Sequence, residues 1–238
     1  MNFNQATVFV TGTNRGIGRA LLDELKKKGV KRIYAAARNI EGFGDAADDS
    51  VVPIKLDITN ADEVRAAAEK AADTTVLINN AGVLTDGSLL DRPLDEINRN
   101  FETNFYGTLQ MIRAFAPVIE RNGGGAIANV LSVVSLASMA ALGGYSASKA
   151  AALSLTQSVR ADLKNKNISV HAVFPGPIDT DMAAEITLPK VSPAHAAAAI
   201  IAGIEAGAED TFPDPMSEQL SGLWSTNPKE LEKTFAAL

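Results

Sequence analysis

Between Gly143 and Ala151 the sequence reads GGYSASKAA, which sets a phenol and an amine four residues apart among side chains too small to do chemistry themselves. In a helix positions i and i+4 share a face, so Tyr145 and Lys149 point the same way. A free phenol titrates near ~10 and exchanges protons poorly at neutral pH. A neighbouring ammonium favours the phenolate, so the spacing predicts a tyrosine pKa below its ordinary value. A tyrosine tuned in this way can give a proton to a carbonyl oxygen or take one from an alcohol. The bland alternative is a surface tyrosine beside a helical lysine, and Y-x-x-x-K alone is a weak motif.

A second stretch, TGTNRGIG from Thr11 to Gly18, places Gly12, Gly16 and Gly18 within seven residues, around Thr13, Asn14, Arg15 and Ile17. A glycine-rich turn between a strand and a helix lets backbone N–H groups approach a pyrophosphate, which then lies at the positive end of the helix dipole. A tight turn that merely tolerates glycine is the alternative, but the clustering and its place before a helical run favour a dinucleotide. The spacing is GxxxGxG, not GxGxxG. At the end of the second strand an acid would bond a ribose 2′-hydroxyl and repel a 2′-phosphate. The sequence there is AAARN, with Arg38 and no acid. Arg15 and Arg38 converging on one phosphate would select NADP(H).

These groups need a scaffold, and the chain alternates strand-like with helical runs. Strands are expected at Thr7–Val10, Arg32–Ala37, Val51–Leu56, Thr75–Asn79, Ala126–Leu131 and Ile168–Phe174, and helices at Gly16–Lys28, Ala61–Ala72, Asp95–Arg121 and Tyr145–Asn165. Such alternation implies a doubly wound α/β fold, a parallel sheet covered by helices on both faces. Ligands bind at the carboxyl ends of such strands, where the Tyr145 helix begins. No linker or repeat divides residues 1–238, which read as one domain. Glu41–Ser50 reads as a surface loop, and the Pro-rich tail after Pro213 as the other loose part.

Composition limits the chemistry further. The 238 residues are 46% hydrophobic and 21% charged, with a formal net charge of −6, and the basic residues are scattered apart from Lys26-Lys27-Lys28. Nucleic acid is not an expected partner. Without cysteine there is no disulfide or thiolate chemistry, and the only two histidines, His171 and His195, lie far apart, so a metal would need carboxylates alone. No signal peptide, transit peptide or membrane span is read, which points to a soluble cytoplasmic protein.

The motifs together resemble the classical short-chain dehydrogenases/reductases. TGTNRGIG, NNAG at Asn79–Gly82, Asn104 in NFYG, Ser132, YSASK and PGPIDTDM at Pro175–Met182 follow in the order and rough spacing of that family, over about Thr7 to Met182. The resemblance implies a single Rossmann-fold domain. It implies that Tyr145 is the acid/base, that Ser132, thirteen positions earlier, bonds the substrate oxygen, and that Lys149 holds the nicotinamide ribose and lowers the tyrosine pKa. Asn104 would anchor a water in a relay toward Lys149. Asp57 and Ile58 would meet the adenine, Asn79, Asn80, Ala81 and Gly82 the adenosine ribose, and Pro175, Gly176, Ile178 and Thr180 the nicotinamide.

Alternatives stay open at several positions. Ser132 competes with Ser135, and Asn98 and Asn100 crowd Asn104. His171 reads as a core histidine and Trp224 as packing. The family's frequent final strand with a Gly-Gly close is missing. Asp181–Pro189 is expected to be a lid, and its Met182, Ala183, Ala184, Ile186 and Leu188, with Val134, Leu136, Met139 and Leu142, suggest an apolar pocket. The expected function is NADP(H)-dependent interconversion of small carbonyls and secondary alcohols. A 3-oxoacyl-type reductase and a non-catalytic NADP(H) sensor are the alternatives. The family's usual association through two long helices implies a homo-oligomer, a tetramer or dimer.

Overall fold

The computed structural model describes residues 1–41 and 49–237. Of the loop read over Glu41–Ser50, residues 42–48 lie outside the described residues. Strands β1 (Thr7–Thr11), β2 (Arg32–Ala37), β3 (Val51–Lys55), β4 (Val76–Asn79), β5 (Gly125–Val130), β6 (Ile168–Val173) and β7 (Asp210–Thr211) form one sheet in the order β3-β2-β1-β4-β5-β6-β7. Every pairing is parallel. The order reverses between β1 and β4, which opens a crevice at the carboxyl ends of those strands.

Apolar stripes explain the layers. Helix α1 (Gly16–Lys27) buries Leu21, Leu22 and Leu25, and α6 (Pro193–Ala206) buries Ile200, Ile201 and Ile204. Both cover one face of the sheet, against Val8, Val10 and Ile33. On the other face lie α2 (Ala61–Lys70), α4 (Thr108–Arg121) and α5 (Gly143–Leu163). Their Val64, Met111, Phe115, Val159 and Leu163 pack on Phe9, Leu77, Ile127 and Val170. Side chains set the boundaries: the Asn60 carbonyl oxygen accepts from Asp62 and Glu63 N–H to start α2.

Three expectations change. The single helix read over Asp95–Arg121 is α3 (Leu94–Phe101), a wide π turn over Glu102–Gly107, and then α4. Helical periodicity does not reveal such a turn, which often marks a functional site, and here it carries Asn104. The final strand is present as the two-residue β7, paired with β6. The tail after Pro213 is not loose. It folds as α7 (Pro215–Thr226), capped by Asp214, and α8 (Pro228–Ala236), capped by Asn227. Their Leu220, Leu231 and Phe235 complete a third apolar cluster with Leu131, Val133, Tyr145 and Phe174.

Candidate active site

A cleft of about 1140 Å³ runs along the carboxyl edge of the sheet. Its first end is made of backbone. Gly12, Asn14, Arg15, Gly16, Ile17 and Gly18 line it, and no side chain caps the N-terminus of α1. The first-turn N–H groups therefore face the cleft, the arrangement that suits a pyrophosphate. Gly18 is required by close approach: a Cβ there would lie 2.0 Å from the Gly12 carbonyl oxygen. The Asn80 amide donates to Thr11 and Gly12 carbonyls at 2.9 and 3.1 Å, and so ties the turn after β4 to the glycine loop.

Most predicted cofactor contacts meet in this cleft: Arg38, Asp57, Ile58, Asn80, Ala81, Gly82, Pro175, Gly176, Ile178 and Thr180 all line it. Two do not. Thr13 is fully buried, its hydroxyl donating to Ala36 O at 3.1 Å. Asn79 is buried and its amide donates to Asn129 at 2.8 Å. Both hold the scaffold: Thr13, in the turn after β1, is tied to β2, and Asn79, on β4, is tied to β5. Arg15 and Arg38 are exposed on the cleft's edge. Arg15 pairs with Asp181 at 3.3 Å, whereas Arg38 makes no ion pair among the described residues.

The other end is made of side chains. Tyr145 and Lys149 rise from the first turns of α5 and are 8% and 5% exposed. Lys149 Nζ donates to Val130 O at 2.8 Å and lies 5.7 Å from the centre of the Tyr145 ring. This corrects the expected tuning. The ammonium points at a carbonyl and the ring face, and burial pushes the phenol up to about 12 against a smaller lowering by the Ser132 hydroxyl. Burial lowers Lys149 to about 8.

Ser132 lines the cleft, while Ser135 is 7% exposed and turns inward to accept from Ser132 N–H at 3.3 Å. Placement thus separates the two serines. Asn104 does not line the cleft. Its amide donates to Val83 O at 2.9 Å and Ser148 Oγ at 3.0 Å, and its carbonyl accepts from Val83 N–H at 2.9 Å. These bonds commit the side chain to bracing the turn after β4 against α5. Asn100 is buried and bonds Thr85, and Asn98 is exposed.

The walls around Ser132 and Tyr145 are apolar: Leu84, Val134, Met139, Leu142, Met182, Ala183, Ile186 and Leu188. Leu136 and Ala184, expected there, are not among the lining residues; Leu136 packs in the C-terminal cluster. Sequence reasoning missed Met216 and Phe235, which enter the cleft from α7 and α8. The signal available was Asp214-Pro215-Met216-Ser217, a capping box that announces a helix. Trp224 packs near Phe174, with ring centres 6.4 Å apart. His171 is a core histidine, bonded to Ser169 and Ala208 and lowered in pKa mainly by burial.

Residues 6–190 match the family profile described as short chain dehydrogenase. The chain belongs to that family. As a short-chain dehydrogenase it is an oxidoreductase working between CH–OH and C=O groups. It is similar to a short chain dehydrogenase from Burkholderia cenocepacia J2315 solved in complex with NADP, at 36% identity, with 99% of each chain covered and a TM-score of 0.94. A short-chain dehydrogenase from Sphingobium yanoikuyae in complex with NADPH is 27% identical, with 93% of this chain and 95% of that one covered and a TM-score of 0.79. A 3-oxoacyl-(acyl-carrier-protein) reductase of Staphylococcus aureus is 33% identical over 190 residues, 74% of this chain and 76% of that one. Among the described residues of this short-chain dehydrogenase, no helix is long and apolar enough to cross a membrane, and no cluster of His, Asp and Glu could hold a metal.

Proposed function

We propose that this short-chain dehydrogenase is an NADP(H)-dependent carbonyl reductase that acts on apolar ketones, with the reverse alcohol oxidation favoured at high pH. The observation that carries this reading is a buried Tyr145 that shares the cleft with Ser132 and a set of apolar wall residues. The uncapped N-terminus of α1 fits a pyrophosphate, and the two guanidiniums at that end fit a 2′-phosphate. Asp57 and Ile58 would flank the adenine, Asn80 to Gly82 the adenosine ribose, and Pro175, Gly176, Ile178 and Thr180 the nicotinamide.

When bound, the nicotinamide supplies or accepts a hydride. The protein's own share is proton handling and alignment. A phenol held near 12 is fully protonated at neutral pH, so Tyr145 is ready to donate to a carbonyl oxygen. The Ser132 hydroxyl donates a hydrogen bond to the same oxygen and stabilises the charge that grows there. Lys149 reaches past the tyrosine ring, where it can hold the nicotinamide ribose, and Asn104 keeps the turn after β4 and the start of α5 in register. Apolar walls limit water at the reacting end, and Asp86 and Glu185 also line the cleft.

The relatives named as 3-oxoacyl reductases support a second reading, in which the carbonyl belongs to a 3-oxoacyl thioester. A purely sensing role fits poorly with retention of both Tyr145 and Lys149. Absence of cysteine suits a cytoplasmic location, and we extend the family's usual association through α4 and α5 to a homo-oligomer here. The test is NADPH oxidation with a panel of aliphatic ketones, aryl ketones and a 3-oxoacyl thioester, repeated with Tyr145→Phe. We expect turnover of an apolar ketone, and a loss in kcat of about 10²–10⁴-fold in the variant with NADPH still bound. Unchanged kcat in Tyr145→Phe would overturn the mechanism, and activity confined to the thioester would replace the substrate class.

A further inference from the structure

Asp214 is 3% exposed, and among the described residues it has no cationic partner. Backbone amides hold its carboxylate instead. Oδ1 accepts from Ser217 N–H at 2.9 Å and caps α7, while Oδ2 accepts from Gly176 N–H at 2.7 Å in the loop that leaves β6. The cap alone would be an ordinary helix start. The second bond is different, because it ties the C-terminal helices to the cleft. A Cβ on Gly176 would lie 2.7 Å from Oδ1, so the carboxylate reaches this amide only past a glycine.

The chain of contacts continues to the reacting groups. Pro175, next to Gly176, accepts at its carbonyl from Val133 N–H at 3.0 Å and from Ser132 Oγ at 3.5 Å. Beyond Asp214, α7 sends Met216 and α8 sends Phe235 into the cleft wall, and Phe235 is 3% exposed in the same apolar cluster as Tyr145. We infer that Asp214 is a positioning residue which holds α7 and α8 as the end wall of the carbonyl pocket, in register with Ser132, so that Met216 and Phe235 set the size of substrate accepted. The inference rests on the carbonyl-reductase reading of the cleft.

The experiment measures kcat and KM over a series of ketones of increasing bulk, together with amide hydrogen exchange at Gly176 and NADPH affinity, for the full chain and two variants. Asp214→Asn keeps an oxygen for the cap and sets an amide donor against Gly176 N–H. We expect faster Gly176 exchange and, at saturating NADPH, a ratio of kcat/KM between small and bulky ketones that shifts by about tenfold. Phe235→Ala, on the last helix, should raise kcat/KM for the bulkier ketones relative to the smallest by about tenfold. A Gly176 amide as protected in folded Asp214→Asn as in the wild type overturns the clamp. An unaltered size profile in Phe235→Ala overturns the wall, whether or not Asp214→Asn folds. If the wild type reduces no ketone, the functional reading fails instead, and Gly176 exchange still decides the clamp.

Discussion

The two ends of the cleft are built on different principles. Around α1 the lining is backbone, fixed by short contiguous motifs and braced by a few bonds such as Asn80 to Gly12. Around Tyr145 the lining is side chains from widely separated stretches, including Leu84, Met139, Ile186, Met216 and Phe235. A dinucleotide presents the same phosphates to any protein that binds it, so one local solution suffices. A substrate pocket must match a particular shape, and that shape is assembled by tertiary packing.

The sharpest way to break this contrast is to attack the first end with one charge. Arg38 lies exposed on the edge of the cleft with no ion pair among the described residues, so a 2′-phosphate would be its partner. Arg38→Asp removes that partner and adds repulsion, and should move the NADPH-to-NADH ratio of kcat/KM by at least about a hundredfold toward NADH. Equal use of both cofactors by the wild type would show that the two arginines do not select. Ketone preference should not follow the cofactor switch, since Arg38, just after β2, belongs to the dinucleotide end of the cleft.

The same division explains how much could be read from the sequence. Glycine spacing, the missing acid after β2 and the i,i+4 pair of Tyr145 and Lys149 are local features, and the structure brings them to one cleft. Register is harder to read. Thr13 and Asn79 sit within motifs whose neighbours line the cleft, yet both face inward, a distinction set by their bonds to Ala36 of β2 and Asn129 of β5. The tail failed for another reason: its prolines read as loop punctuation, yet Pro215 and Pro228 each stand at the first position of a helix, where proline is tolerated. The direction of the tyrosine shift also depends on burial, which the spacing Y-x-x-x-K does not encode.

Lys149 tests the second end. Its amine is lowered from 10.5 to about 8 by burial, so at neutral pH the fold carries a buried charge that the unfolded chain would keep in water. Below pH 8 this costs the native state roughly 3 kcal/mol; as pH rises from about 8 toward 10.5 only the unfolded chain binds the proton, and stability rises. Lys149→Met should therefore be more stable than the wild type at pH 7, with the gap closing by pH 10, while NADPH binds about tenfold more weakly through the lost ribose contact. Denaturant melts at the two pH values check it. A variant less stable at pH 7 would mean that the bond to Val130 O outweighs the burial cost.

The smallest expected effect joins the two ends. Asp181 opens the segment read as a lid and pairs with Arg15 of the glycine loop at 3.3 Å, their side chains 78% and 62% exposed. An ion pair so open to solvent contributes little to stability, so its loss should leave the melting temperature unchanged. Its effect on binding is competitive, because a guanidinium engaged by a carboxylate must release it to meet a 2′-phosphate. Asp181→Asn frees Arg15 and should lower KM for NADPH by at most about fivefold, with KM for NADH unchanged and the difference fading at high salt. A fall for both cofactors alike would place the effect in lid motion instead. No change for either would mean that Arg38 alone meets the phosphate, and that Arg15 serves only to hold the lid against the loop.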